Sequence, residues 1–203
     1  ALSGETGLRG HWPFPLRWEI AAFYTRVYDE LTPYELADFP GRTFYRNAGE
    51  TARKGLEISA GWYPLRGVQA ILAFTLASFQ YKKFATPGGD FAGRQLPGLP
   101  RQWGTLELRY TRDDGFFANG QVRYTGRFFA DDGNTQKVEP YALIHLRAGY
   151  RRAFLHFSGE IFLGADNIAG AAYFNNIRPN AAGGRYFEPG ARQMVFGGVN
   201  VRI

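Results

Sequence analysis

The sequence predicts an all-β protein, and more narrowly an antiparallel up-and-down transmembrane β-barrel segment. Three observations support this fold class: a composition rich in aromatic residues and glycine, alternation of apolar and polar residues, and connections that alternate between short and long. Aromatic residues make up 17% of the 203 positions and 26 positions are Gly, which is typical of β-proteins.

Alternation of apolar and polar residues with a period of two recurs along the chain. Every second residue from Leu56 to Trp62 is apolar, and the segments 105–111, 121–128 and 195–203 follow the same pattern. Successive side chains of a strand point to opposite faces, so this spacing indicates strands with one apolar and one polar face. With the turn signals between them, the pattern predicts about nine strands.

The predicted connections alternate strictly in length. Short ones fall at 12–15, 64–67, 113–115 and 150–152, and longer ones, rich in Gly, Pro, Asn and Asp, fall at 31–44, 81–100, 130–139 and 168–190. Outer-membrane barrels combine tight periplasmic turns with long outer loops, whereas a Greek-key sandwich has no reason to keep this order.

Hydropathy excludes one class of membrane protein and permits another. The mean hydropathy is −0.31, and the longest apolar stretch, Ala70–Phe79, is interrupted by Thr75 and Ser78. A membrane helix needs about 20 apolar residues, but a tilted spanning strand needs only roughly 9–11. The sequence is therefore incompatible with a helical membrane protein and compatible with a barrel.

The charge pattern and the cysteine content exclude some partners and some kinds of site. The net charge is +6, but the basic residues are scattered singly, so we expect no nucleic-acid partner. The absence of Cys excludes disulfides and thiolate metal sites.

Aromatic residues gather at both ends of the predicted strands, which resembles the two aromatic girdles of a membrane barrel. Trp12, Trp62 and Tyr150 lie near short turns, and Tyr34, Tyr45 and Phe128 lie near long loops. Alternation alone also fits a soluble β-sandwich that binds carbohydrate through exposed aromatics, and this alternative stays open here.

Six segments resemble, in order, motifs of TonB-dependent receptors, a family of plugged outer-membrane barrels. They cover about residues 20–203. The segments are Tyr28-Asp29-Glu30-Leu31, Asn47-Ala48-Gly49 with Gly55-Leu56-Glu57, Gly93 to Arg101 as G-x-x-L-P-x-x-P, Phe129 to Thr135, Gly164-Ala165-Asp166-Asn167-Ile168, and Arg185 to Arg192 before the closing strand.

The resemblance implies a barrel of about 22 strands, of which residues 1–203 would form the C-terminal portion. It also implies a plug domain that carries the TonB contact, and no such domain is visible in these residues. A sheet of about nine strands has open edges that lipid does not tolerate, so we expect the chain to be a fragment that does not close alone. The final Ile203 departs from the Phe usual in the family.

The function implied by the resemblance is TonB-dependent uptake across the outer membrane of a Gram-negative bacterium. The solute would be a scarce compound such as a ferric siderophore or a cobalamin-like compound. The expected partners are outer-membrane lipid, TonB acting through the plug, and a small-molecule metal chelate as substrate. A passive porin-like barrel is the alternative within the same fold class.

No catalytic motif is present, so we expect no enzymatic activity and no cofactor. Two weak metal hypotheses remain. His145 and His156, on adjacent predicted strands, would need Glu160 as a third ligand. Asp131, Asp132 and Asn134 form an oxygen-rich loop that fits a turn stabilised by its own side chains better than a Ca²⁺ site.

Charged residues of the polar strand faces are predicted to face the barrel lumen, and residues of the long loops are predicted to contact the ligand. The predicted lumen-facing residues are Glu57, Glu107, Arg109, Arg123, Arg127, Arg147, Glu160 and Arg202. The predicted ligand-binding residues are Tyr34, Phe39, Arg42, Phe91, Arg94, Asn176, Arg178 and Arg185.

Overall fold

The fold of the chain is given by a computed structural model that describes residues 1–47, 49–86 and 88–203. Ala48, the middle residue of the Asn47-Ala48-Gly49 motif, lies outside the described residues. Within the described part, no helix is long and apolar enough to cross a membrane.

Strands account for nearly all of the regular structure, with one short 3-10 turn, η1 (Ala182–Gly184). The strands are β1 (Leu2–Trp12), β2 (Leu16–Tyr28), β3 (Leu31–Glu35), β4 (Thr43–Asn47), β5 (Glu50–Trp62), β6 (Val68–Lys83), β7 (Ala85–Thr86), β8 (Gly89–Asp90), β9 (Gln102–Thr111), β10 (Phe116–Thr125), β11 (Phe128–Phe129), β12 (Lys137–Val138), β13 (Tyr141–Ala153), β14 (Ser158–Asp166), β15 (Phe174–Ile177), β16 (Phe187–Pro189) and β17 (Met194–Arg202).

Nine long strands form one antiparallel up-and-down sheet in the order β1-β2-β5-β6-β9-β10-β13-β14-β17. Each of these nine strands pairs with the next of the nine along the chain, which confirms the predicted fold class and strand number. In the described residues β1 and β17 do not pair with each other, so the sheet is an open section of a barrel.

The four remaining strand pairs, β3–β4, β7–β8, β11–β12 and β15–β16, are small hairpins inside the long connections. We call these connections loop 1 (29–49), loop 2 (84–101), loop 3 (126–140) and loop 4 (167–193). The short turns occupy 13–15, 63–67, 112–115 and 154–157, so the short and long connections lie at opposite ends of the sheet.

The fourth short turn is not where the sequence pattern placed it. Residues 150–152 lie inside β13, and the chain reverses at 154–157, where the Phe154 N–H donates to the Phe157 carbonyl over 2.7 Å. The two phenyl rings also stack with centroids 4.6 Å apart. Apolar ring contacts therefore close a turn in which none of the four residues is Gly, Pro, Asn or Asp.

One face of the sheet is apolar from edge to edge. Ile20 and Ile58 are cross-strand partners, as are Leu72 and Leu106. These side chains stay exposed, with Leu106 at 40% and the more peripheral Leu163 at 64%. In the described part of the chain no second sheet covers this face, as a β-sandwich would require.

A buried apolar cluster lies at the long-loop end of the sheet. Tyr81, Phe84 and Leu96 are nearly inaccessible, and Phe79 and Phe91 pack against them. The core thus supports the loops and does not fill the sheet faces.

Candidate ligand-binding loops

Seven of the eight residues predicted to face the lumen lie on the polar face of the sheet. The register shows that they share a face with polar or small partners: Glu57 opposes Thr75, Arg123 opposes Thr105, and Arg202 opposes Ser158. The other four are Glu107, Arg109, Arg147 and Glu160.

Arg127 is the exception and lies in loop 3. The last bond of the β9–β10 ladder runs from the Gly126 N–H to the Gln102 carbonyl over 2.7 Å, and the chain leaves the sheet after it. Arg127 then pairs with Glu139 of the same loop at 3.4 Å. The alternating pattern continued past the true end of the strand and so misplaced this residue.

Part of the charge on the polar face is paired within the wall itself, around Glu107 and Glu160. Glu160 accepts hydrogen bonds from Arg147 at 2.8 Å, from Arg151 and from Asn200 at 3.3 Å. Arg147 also lies 3.9 Å from the ring centroid of Phe162. Such cross-strand pairs stabilise the register of a sheet.

The paired-histidine metal hypothesis is wrong. His156 lies in the turn 154–157, whereas His145 lies near the opposite end of β13, roughly 26 Å away at a strand rise of about 3.3 Å per residue. His145 instead contacts Asp166 at 2.7 Å, and Glu160 is occupied by arginines. Among the described residues, no group of three or more His, Cys, Asp or Glu could hold a metal ion.

The oxygen-rich loop is a turn stabilised by its own side chains. Asp131 accepts hydrogen bonds from the Gln136 N–H at 2.7 Å and from the hydroxyl of Thr135 at 2.9 Å. Asn134 adopts the left-handed conformation, with φ of 55°, that Asn tolerates. The carboxylate oxygens therefore face donors of the protein, in the arrangement expected of a turn.

Loops 1 and 3 meet at Asp132 of loop 3, whose side chain is buried next to Tyr81 near the end of β6. Its carboxylate accepts a hydrogen bond from the Tyr81 hydroxyl at 2.6 Å and an ion-paired one from Arg46 at 3.0 Å. The guanidinium of Arg46 lies between the rings of Tyr34 and Phe84, at 4.9 and 5.2 Å from their centroids. A charged group thus sits inside an aromatic cluster because its charge is matched there.

Asn180 of loop 4 completes this arrangement. Its side-chain oxygen accepts from the Asp132 N–H at 2.9 Å, and its side-chain amide donates to the Pro33 carbonyl at 2.9 Å. Its main-chain N–H also donates to the Ala130 carbonyl at 3.0 Å. We call Arg46, Tyr81, Asp132 and Asn180 the loop junction, since together they join loops 1, 3 and 4 to the sheet.

Loop 2 is joined to loop 3 by a separate set of bonds. The Gln95 N–H donates to Asn134 at 2.8 Å, and the Asn134 amide returns a bond to the Gln95 carbonyl at 2.9 Å. The Gly98 N–H donates to the Phe129 carbonyl at 2.7 Å. All four long loops are therefore hydrogen-bonded into one assembly.

Glu35 provides a second contact between loops 1 and 4. Its carboxylate accepts from the Gly41 and Ala182 N–H groups, each at 3.3 Å, and pairs with Arg185 at 3.1 Å. The hydrogen bond from Gly41 is the largest cause that holds the pKa of Glu35 below its ordinary value. Desolvation, the next largest effect, opposes it, and the Ala182 hydrogen bond and the charge of Arg185 lower the pKa further. Burial, with the nearby charge of Asp131, raises the pKa of the Tyr186 phenol in loop 4.

The predicted ligand-binding residues all lie on these loops, but their charges are not equally available. Arg178 pairs with Glu188 at 2.9 Å, Arg185 pairs with Glu35, and Arg94 donates to the Gly133 carbonyl. In the part of the chain that the structure describes, Arg42 has no carboxylate partner and is exposed.

Loop 1 gathers Arg42 and three aromatic residues into one group. The ring of Phe44 lies 5.9 Å from Tyr34 and 6.1 Å from Phe39, and the Arg42 guanidinium lies 5.2 Å from the same ring. The other candidates lie apart from it: Phe91 packs against Phe84 at 5.4 Å, and Asn176 contacts Glu188 at 3.2 Å. Sequence reasoning therefore placed the loops but not the grouping within them.

Sequence reasoning did not single out Arg46, Tyr81 or Asn180. A Pro179-Asn180 pair signals a turn, but nothing local signals a partner at Pro33, 147 positions away along the chain. Asp132 was noted only as part of an oxygen-rich turn.

Comparison with known proteins identifies the family. The family model described as "TonB dependent receptor-like, beta-barrel" matches residues 1–168. A ferrioxamine receptor of Yersinia enterocolitica is 28% identical over 124 residues, which cover 60% of this chain and 17% of that protein.

Solved structures agree on the fold. The ferric preacinetobactin receptor BauA of Acinetobacter baumannii matches over 97% of this chain with a TM-score of 0.74 and 18% identity, and 28% of BauA is covered. The ferric citrate transporter FecA matches over 98% with a TM-score of 0.75 and 19% identity, and 31% of FecA is covered. The chain thus spans less than a third of each of these relatives, and with the family match over most of its length it belongs to the TonB-dependent receptors as a section of their β-barrel.

Proposed function

We propose that this chain forms wall strands and outer loops of an outer-membrane receptor that takes up a ferric chelate, driven by TonB through a plug domain. The support comes from the family match and from relatives whose names specify ferrioxamine, ferric preacinetobactin and ferric citrate. A cobalamin-like solute, also expected from the family resemblance, has no counterpart among these names.

The observation that carries this proposal is the four-loop assembly at one end of a sheet whose outer face is apolar. In outer-membrane barrels the long loops face the exterior and the short turns face the periplasm. The apolar face would contact lipid, and the joined loops would present one preorganised surface to the medium. Preorganised loops lose less conformational entropy on binding.

Within that surface, the loop 1 group is the best candidate for ligand contact. Arg42 offers an uncompensated positive charge beside Phe44, whose ring contacts two further aromatic rings, and this suits an anionic chelate with apolar or aromatic parts. The paired arginines Arg178 and Arg185 would instead shape the loops.

The test is uptake of radioactive iron by iron-starved cells that express the full-length protein. Candidate chelates, including ferrioxamine and ferric citrate, are supplied one at a time, with labelled cobalamin as a further solute. We expect saturable uptake of a ferric chelate that disappears in cells lacking TonB. Uptake that persists without TonB would contradict the proposal and favour passive diffusion.

The role of Arg42 is tested by R42Q in the same cells. We expect binding of the transported chelate to weaken about tenfold, the effect of losing about 1.4 kcal/mol from one charge-assisted contact. R66Q is the matched control, because Arg66 is also exposed but lies at a short turn and pairs with Asp113. Unchanged affinity in R42Q would remove Arg42 from the site.

We also infer that the chelate is transported without chemical conversion. No catalytic motif occurs in the sequence, and the polar-face carboxylates Glu107 and Glu160 are engaged by arginines. Mass spectrometry of the internalised chelate would reveal any modification, and a product made by the purified full-length protein would contradict this inference.

A further inference from the structure

The apolar face of the sheet contains a groove of about 710 Å³ between β9 and β17. Its floor is formed by residues with little or no side chain, Ala118, Gly120, Ala148 and Ala165, which neighbour one another across β10, β13 and β14. Its volume falls within the range of small-molecule sites, roughly 300–1,000 Å³.

Large apolar side chains form the walls of this groove. Leu108 of β9 opposes Gly120, and Leu163 of β14 opposes Ala148, so each small residue has a bulky cross-strand neighbour. The apolar surface is therefore grooved between the bulky side chains and is not flat. Such a groove fits a flexible hydrocarbon chain by contact along its length.

Two tyrosines and one arginine of the apolar face lie at the short-turn end of the groove. Tyr110 and Tyr150 lie on the same apolar face, where their hydroxyl groups reach the level of lipid headgroups in aromatic girdles. Arg152 follows Tyr150 on this face, four residues beyond Ala148, or about 13 Å along the strand.

The charge of Arg152 is available to a ligand. Across the described residues no carboxylate lies within ion-pair distance of its guanidinium, which lies 6.0 Å from the Phe154 ring. By contrast, Arg66 and Arg112 at the neighbouring turns pair with Asp113 and Asp114, at 3.0 and 2.7 Å. Its strand partner is Gly159, so the space beside it is open.

We propose that this groove is a specific site for one anionic phospholipid of the leaflet that faces the short turns. An acyl chain lies over the Ala and Gly floor, the ester region lies beside Tyr110 and Tyr150, and the phosphate accepts hydrogen bonds from Arg152. Guanidinium groups bind phosphate oxygens in a planar, two-point manner. The inference rests on the membrane location in the proposed function, but not on the identity of the solute.

The test is native mass spectrometry of the full-length protein released from nanodiscs that contain equal amounts of phosphatidylglycerol and phosphatidylethanolamine. We expect the wild type to retain one phospholipid, with phosphatidylglycerol preferred at least fivefold. R152Q should abolish the preference, R152K should restore much of it, and A148W, which fills the groove, should remove the bound lipid.

Two matched variants control for the mutations themselves. R66Q removes a charge at the same end of the sheet, and A22W adds the same bulk to the apolar face of β2. Both should retain the lipid and the preference. Heat-modifiable gel migration shows whether each variant is folded, and R152Q changes only an exposed side chain.

Two outcomes would overturn the inference: unchanged lipid retention and preference in both R152Q and A148W, or a dimer that A148W dissociates. Iron uptake, measured in parallel, separates this inference from the proposed function. Loss of lipid selectivity with normal uptake supports the lipid site alone, while TonB-independent uptake would contradict only the transport proposal.

Discussion

Replacing Asn180 should loosen three long loops at once, although Asn180 belongs to only one of them. Its side chain bonds to the Asp132 N–H in loop 3 and to the Pro33 carbonyl in loop 1, both at 2.9 Å. N180G removes both bonds but tolerates the left-handed backbone, where φ is 56°. N180A removes the same bonds and adds backbone strain.

The magnitude follows from the groups left without partners. An unsatisfied buried donor or acceptor costs about 1–3 kcal/mol, and the lower end applies here because Asn180 is half-buried. N180G should therefore destabilise the loop assembly by about 2 kcal/mol, and N180A by about 3 kcal/mol, since the left-handed region costs a residue with a Cβ about 1 kcal/mol more.

Hydrogen exchange of the full-length protein in detergent measures this local opening. A loss of about 2 kcal/mol corresponds to roughly 30-fold faster exchange where opening is local. We expect acceleration in 29–49, 126–140 and 167–193, with the sheet unaffected. N176A is the control, because the hydrogen bond that the Asn176 side chain makes among the described residues goes to Glu188 of its own loop. Acceleration confined to 167–193 in N180G would refute the view that Asn180 joins the loops.

Three further changes test other parts of the structure. G115A should destabilise the short-turn end by more than 2 kcal/mol, because a Cβ at this position would stand 1.9 Å from the Arg151 carbonyl oxygen. G183A, which is also left-handed but has open space around it, should cost only about 1 kcal/mol. Heat-modifiable migration after refolding in urea compares the two variants, and equal effects would contradict the close approach. The contact of Glu35 with residues 181–185 should be fully formed at a pH above the ordinary pKa of a Glu side chain, about 4.3. It should be lost as the pH falls through the lowered pKa of Glu35, because a lowered carboxyl pKa stabilises the folded state only while the group is ionised. Exchange of 181–185, corrected for the intrinsic rate, should therefore rise in acid, and E35Q should remove that dependence; an unchanged pH profile in E35Q would contradict the assignment. D131A should destabilise the turn 131–136 by about 1–2 kcal/mol, because the hydrogen bonds to the Asp131 carboxylate are lost. Isothermal titration with Ca²⁺ should give the same result for D131A and the wild type, since the turn is not a metal site.

The sequence determined the fold class and much of the strand order, because period-two alternation and the lengths of the connections are local properties. The faces followed from the same signal: in the structure, Leu56 and Ile58 are exposed on the apolar face and Glu57 lies on the other. The one misplaced short turn, at 154–157, lacks the residues that usually signal a turn and is closed by the stacking of Phe154 and Phe157.

Only the tertiary structure decided what the long loops do. Asp132 and Asn134 were visible as turn residues, but their partners Tyr81, Arg46 and Gln95 lie 39–86 positions away in the chain. Distant contacts of this kind leave no period in the sequence, since each involves a single side chain whose partner is selected by the register of strands in between. The same reasoning applies to Arg42 and Arg152: their sequence neighbourhoods resemble those of other arginines, and the coordinates alone distinguish cations that are free from cations that are paired.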